Sequence, residues 1–534
     1  MKKGFGVVRV LVLLLSLTLI FAACSSNSDS KQDAAVTNSA NSADTGKAED
    51  KVLRVRTYDD PAGYDPASVF RTENENIAFN IYSGLVSYDS KTGQIIPDLA
   101  DKWESSDNKT WTFHLRKGVK WQKGYGELTA ADVIYSYQRI IDPKTASPYA
   151  NDFANVASVE APDNYTVVYK LKTVDGNFPH IVANYHQGQI VKKEAVEKYG
   201  DQYKWNPVGT GPFELESLKT NQEIVLARNA DYFKGPAPIS KIIFSIIKDD
   251  DTAGIALQNG EVDLAMRIDR TETIERLQQA GFLMNTRQDR AVNVMVFNTT
   301  VKPLNDVKVR QAYAYAIDWP TIIKTTYPLL EAPTINLLPK WMDVYTSDVP
   351  RYDYNPEKSK QLLTEAGYPN GFTIHQLTTS SSGITEDLQL EQEYLKKVGI
   401  DLQFELVDSP TYNKRRNQGD YEISSRLLPA INPDTILFNY LHPSYTVPKG
   451  LNGARYDNPV LTTKLEAARS ETNPEKRKQL YAEVQKIAMT DLPYMPYYSA
   501  HTIWPSYDYV INVNINPISQ VNYYEVDMKP NKGK

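Results

Sequence analysis

Cysteine is almost absent: of 534 residues only Cys24 carries a thiol. A single cysteine excludes an intramolecular disulfide and a two-thiol redox or zinc site, so its surroundings have to account for it. Histidine is scarce too, six in all at positions 114, 180, 186, 375, 442 and 501, and none stands in a His-Glu-x-x-His or similarly tight ligand spacing. No Gly-x-Ser-x-Gly elbow occurs either. These gaps leave a secreted hydrolase, the runner-up function class, with no residues to carry it, and they point to no cofactor and no resident metal. Positive charge is not in excess, since 59 Lys and Arg face 65 Asp and Glu for a net charge of −6. Phosphate backbones are held by clustered Lys and Arg, so nucleic acid is not an expected partner.

Long apolar runs are missing everywhere except near the start. Lys2 and Lys3 precede Val10-Leu-Val-Leu-Leu-Leu-Ser-Leu-Thr-Leu-Ile-Phe-Ala-Ala23. At about 14 residues this run is short for a membrane span, which needs roughly 20, and it ends in small residues as a secretory signal does. Phe21-Ala22-Ala23-Cys24 resembles the lipobox of bacterial lipoproteins, although leucine is usual where Phe21 stands. That resemblance implies a signal peptide over 1–23 and a diacylated Cys24 anchoring the chain to the extracytoplasmic face of a membrane. Residues 24–50 are rich in Ser, Ala, Asp and Asn and have little apolar surface to bury, which predicts a flexible linker.

The remaining residues, 51–534, exceed the roughly 250–300 that one hydrophobic core supports, so at least two lobes are expected. Val52-Leu-Arg-Val-Arg-Thr-Tyr alternates as a strand does, residues 74–87 suit a helix, and Trp111-Thr-Phe-His-Leu-Arg alternates again. Thr129 is placed to cap the amphipathic helix that follows it, and Asn355-Pro356 and Asn473-Pro474 each open a helix with a capping amide and proline at the first position. Asn206-Pro-Val-Gly-Thr-Gly-Pro lacks the Lys-Ser/Thr of a phosphate cradle and reads as a tight turn between strands. Tyrosine is abundant, 35 residues, and suits either cores or binding surfaces.

Several of these segments together resemble the family 5 extracytoplasmic solute-binding proteins, the oligopeptide and dipeptide receptors of ABC importers. They are Leu99-Ala-Asp-Lys-Trp through Trp111-Thr-Phe-His-Leu-Arg-Lys-Gly-Val-Lys-Trp121, then Asn206-Pro-Val-Gly-Thr-Gly-Pro-Phe, Asn229-Ala-Asp-Tyr-Phe-Lys-Gly, Val309-Arg-Gln-Ala-Tyr-Ala-Tyr-Ala-Ile-Asp and Asp491-Leu-Pro-Tyr-Met-Pro-Tyr-Tyr. The resemblance implies an α/β, two-lobe, periplasmic-binding-protein-like clamp of class II with a hinge. Lobe I is expected at 51–84, 205–290 and 496–534, an inserted subdomain at 85–204 and lobe II at 291–495. It implies a monomeric, non-enzymatic receptor that hands a peptide or peptide-like solute to ABC permease subunits. An opine-like or phosphorylated sugar derivative, nickel or another metal chelate, or haem are alternative cargoes.

Peptide-binding relatives place an acid four positions before the proline of an Asp/Asn-Pro-Asp segment to meet the ligand's α-amino group. Here that segment is Asn432-Pro433-Asp434 and the position holds Pro429, which cannot accept such a bond through its side chain. Three positions earlier Arg426 replaces a tryptophan, and a guanidinium facing the cleft would favour carboxylate or phosphate. Its structural alternative is a pair with Glu422 or Asp434. The segment around Tyr64, Arg71, Thr72, Glu73 and Asn74 resembles a pocket-lining loop, with Glu73 able to replace the missing acid, and Trp341 and Tyr440 are candidate flat walls. Metabolic labelling checks the anchor directly: wild-type protein should incorporate palmitate and partition with detergent, whereas Cys24→Ser should incorporate none and stay in the aqueous phase.

Overall fold

The alternating strands and capped helices recur in the computed structural model, which describes residues 51–68, 72–380, 383–429 and 432–530. Cys24 and the linker up to residue 50 lie outside the described residues. One mixed sheet of eleven strands organises the body. In spatial order it runs Ile400–Val407, Phe372–Thr379, Ile423–Pro429, Leu283–Phe297, Tyr494–Ser506, Leu264–Ala265, Val52–Thr57, Lys241–Ile246, Glu223–Arg228 and Phe213–Lys219, with Glu331–Pro333 paired onto Tyr494–Ser506. The two longest strands, of 15 and 13 residues, sit at its centre and pair antiparallel along their length. Their register shifts between Arg287 and Ala291 and again between Asn293 and Val294.

Two large apolar cores hang on this sheet. The first gathers Leu53, Val55, Ile77, Phe113, Tyr169, Phe213, Phe244 and Trp504; the second gathers Val294, Phe297, Tyr313, Leu363, Ile374, Ile400, Leu437 and Tyr494. The central strand Tyr494–Ser506 contributes to both, Trp504 to the first and Tyr494 to the second, so the chain is a two-lobe α/β clamp whose lobes share a sheet. A separate four-stranded antiparallel sheet, in the order Ala100–Glu104, Thr110–Leu115, Thr166–Leu171 and Val156–Asp163, packs into the first core.

Local chemistry explains the helices. Thr129 forms a capping box with Asp132, and Asn355 and Asn473 accept hydrogen bonds from Lys358 N at 2.9 Å and Lys476 N at 3.1 Å. The helix expected over 74–87 instead spans Thr72–Ile81. Beyond its end Gly84 lies against the backbone of Asn184, where an added Cβ would come within 2.4 Å of its nitrogen. The glycines of Asn206-Pro-Val-Gly-Thr-Gly-Pro serve close approach as well: a Cβ on Gly209 would meet Ile81 O at 2.0 Å.

Glu391, on the helix Glu386–Lys396, is fully buried in the second lobe and accepts from Tyr313 Oη at 2.6 Å. Burial pushes its carboxyl up to about 8. The folded chain therefore holds this proton more tightly than the unfolded chain, where the group titrates near 4.3. Its stabilising effect is full below that lower value and is lost as pH rises through about 8. Urea midpoints measured from pH 5 to 9 should fall more steeply for wild type than for Glu391→Gln.

Candidate functional site

Between the two lobes lies a cavity of about 1130 Å³. The first lobe walls it with residues 91–95, Trp103, Trp111 and parts of 176–180; the second with 340–344, Pro433, Arg477 and Tyr481; Thr286 and Arg287 of the long strand complete it. The 91–95 wall is a tight turn in which Asp89 Oδ1 accepts from Thr92 N at 2.7 Å and from Lys91 N at 3.1 Å. Gly93 adopts φ +73°, and a Cβ there would press on Pro517 at 2.4 Å and Trp341 at 3.1 Å. Arg287 ties the turn to the opposite lobe, donating to Lys91 O at 2.9 Å while its guanidinium lies 5.6 Å from the Trp341 ring centroid.

A second bridge spans the lobes. Asp434, on the first turn of the helix Pro433–Leu441, pairs with Arg469 Nε at 3.1 Å, and Arg469 reaches Asp175 of the first lobe at 3.6 Å. Gly176 N donates to Arg469 O at 3.3 Å, and Asn177 Nδ2 to Tyr481 Oη at 3.4 Å. Burial pushes Asp434 up to about 7 and raises Asp175, with Arg469 opposing both shifts. His180, on the cavity wall, is driven down to about 4 by burial and then by the nearby Arg477 charge, so it is neutral at physiological pH.

Of the residues singled out in the sequence, Trp341 lines the cavity, and Asn432 and Asp434 flank Pro433, which also lines it. Asn432 itself caps its helix, accepting from Thr435 N at 2.8 Å. Arg426 lies away from this wall, 8% exposed, stacked over Tyr440 with 5.3 Å to the ring centroid and donating to Leu451 O at 3.1 Å. Neither expected carboxylate meets it, because Glu422 accepts from His375 N at 2.6 Å and Asp434 is held by Arg469. Tyr440 is buried edge-on against Tyr494. The reading of Tyr64 and Asn74 as pocket walls gives way to core roles. Tyr64 belongs to the first core with no exposed surface, and Asn74 is buried and donates to Gly63 O at 3.1 Å. Arg71, and the side chains of Thr72 and Glu73, lie outside the described residues.

Arg287, Asp175 and Arg477 were not legible as site residues. Arg477 sits in a run of three basic residues, 476–478, that looks like a solvated face, and Asp175 meets its partners only through the fold. Among the described residues no group of three or more His, Cys, Asp or Glu side chains is placed to hold a metal ion. No helix among them is long and apolar enough to cross a membrane.

Residues 94–449 match the family described as bacterial extracellular solute-binding proteins, family 5 middle. The chain is 29% identical over 528 residues to heme-binding protein A of Haemophilus influenzae, covering 93% of this chain and 94% of that protein. It superposes on HbpA2 from Haemophilus parasuis with a TM-score of 0.82 at 26% identity, covering 90% of this chain and all of that one. The ABC transporter-associated periplasmic binding protein DppA from Helicobacter pylori, in complex with the peptide STSA, gives a TM-score of 0.75 at 28% identity over 90% of this chain and 98% of the other.

Removing Arg469 should leave two buried carboxylates facing each other across the lobes. Arg469→Met is expected to lose about 3 kcal/mol of stability at pH 8 and less at pH 5, where Asp434 takes up a proton. Urea denaturation at both values checks the difference, and small-angle scattering should show a larger radius of gyration for the variant.

Proposed function

The chain belongs to the family 5 bacterial extracellular solute-binding proteins, and from that membership we propose that it captures a peptide or peptide-like solute in the interlobe cavity for delivery to a membrane permease. Its role in ABC transport is that of the substrate-binding receptor, and the family consists of receptors rather than enzymes. The single observation that carries the proposal is a cavity of about 1130 Å³ walled from both lobes. Ligand sites of roughly 300–1,000 Å³ hold drug-sized molecules, so this one suits an extended solute. The complex of the related DppA with a peptide supports the same class.

In this reading lobe I comprises 51–84, 205–290 and 496–534, the insertion 85–204 and lobe II 291–495. The pairing shift between Arg287 and Ala291 supports a hinge there, since bulges are where a sheet bends. Trp341, which lines the cavity, would serve as a flat wall for the ligand. Diacylated Cys24 and the 24–50 linker would hold a monomeric clamp on the extracytoplasmic face beside its permease, raising its local concentration there. A second reading, a flat chelate such as haem, draws on the relative named for haem and on Trp103, Trp111, Trp341 and neutral His180 along one cavity.

A thermal-shift screen of short peptides separates these from the hydrolase class. A peptide ligand should raise the melting temperature saturably, equivalent to about 2.7 kcal/mol at a hundredfold excess over Kd, and should be recovered intact by mass spectrometry. Cleaved peptide would sink the receptor reading, and a Soret band appearing on titration with haem, without any peptide shift, would favour the second cargo.

A further inference from the structure

We propose that the interlobe cavity selects an anionic solute, with Arg477 as the anchor for a ligand carboxylate. This rests on the receptor reading above and adds the charge of the cargo. The cavity wall carries four basic residues, Lys91, Arg287, Lys340 and Arg477, against one acid, Asp343. The whole chain, by contrast, is acidic, with a net charge of −6. A positive wall inside a low-dielectric cleft of an acidic protein focuses the potential on the place where a ligand enters.

Arg477 is the best built of the four. It lies on the first turn of the 18-residue helix Pro474–Asp491, the end at which the helix dipole disfavours a cation. Among the described residues no carboxylate approaches it within salt-bridge distance. Its guanidinium lies against the backbone of the opposite lobe, where a Cβ on Gly176 would come within 3.0 Å of its Nη1. The nearest acids, Asp175 and Asp434, are engaged by Arg469. Burial shifts both toward their neutral forms, so they compensate Arg477 only in part. Arg477 thus carries a charge that neither helix stability nor an ion pair accounts for, and it carries it at the closing edge of the cavity. A carboxylate bound there would complete a bidentate pair with a half-buried guanidinium, the stronger kind of charge-assisted contact.

Calorimetry with three tripeptides of equal backbone, triglutamate, trialanine and trilysine, tests this on the full chain. Triglutamate should bind about tenfold more tightly than trialanine and lose affinity as salt rises. Trilysine should bind weakest. Arg477→Gln should reduce the triglutamate advantage to under about threefold, and Arg477→Lys should restore part of it, with melting temperatures of both variants confirming an intact fold. Equal or tighter binding of trialanine, or a full acidic preference surviving in Arg477→Gln, would overturn the charge assignment while leaving the receptor reading in place. Failure of all three peptides to bind would overturn the peptide reading and the charge assignment that rests on it.

Discussion

The antiparallel ladder between Leu283–Phe297 and Tyr494–Ser506 is the constraint from which the rest of the structure follows. Through it a single hydrogen-bonded sheet passes from one apolar core to the other, so neither lobe can be displaced without bending these strands. In the proposed reading the register shifts would concentrate that bending in a few residues, because a bulge leaves one residue unpaired and increases local twist. The cavity opens beside this point, with Thr286 and Arg287 at its wall. A clamp hinged on shared strands changes the gap between lobes while keeping each core intact, which is what a receptor needs if its closed form is to be told from its open one.

Buried charge does two different jobs in this fold. Arg56 is fully buried and donates to Ile247 O at 2.7 Å, Met266 O at 2.8 Å and Lys248 O at 3.0 Å, besides pairing with Asp250 at 2.9 Å. It gathers the loops at one end of the first lobe's strands and is satisfied on every side. The Asp175, Arg469 and Asp434 bridge is instead split between lobes and has two carboxyls for one guanidinium. Satisfied networks inside one body rigidify it; a network divided between bodies contributes only while they are together, so its strength biases the open and closed populations.

Much of the fold was legible because its signals are local. The caps at Thr129, Asn355 and Asn473 depend on residues three positions apart, and the strand at Val52–Thr57 on simple alternation. The order and spacing of the family-like segments pointed to the two-lobe receptor, which the match over 94–449 shows. The candidate site was far less legible. Trp341 reaches the cavity, yet Tyr64 and Asn74 belong to the first lobe's interior and Arg426 stacks on Tyr440 within the second. Tyrosine abundance was ambiguous for the same reason. Tyr64, Tyr82, Tyr169, Tyr203, Tyr313, Tyr481, Tyr494 and Tyr523 are all fully buried, and of these Tyr481 alone also lines the cavity.

By itself the sequence determined the class of molecule: mixed α/β elements, more residues than one core can hold, no paired thiols, no tightly spaced metal ligands and an acidic balance. Those properties follow from composition and from interactions between near neighbours in the chain. Only the tertiary structure decided which charges face the cleft and which side chains bridge it. Asp175 and Arg469 lie far apart in the chain, and nothing in the residues beside either one encodes their meeting. The same holds for Gly93 under Trp341 and for Gly176 beside Arg477. Such contacts arise where the surfaces of two lobes are brought together by a shared sheet, and their geometry is set by that packing rather than by any local pattern.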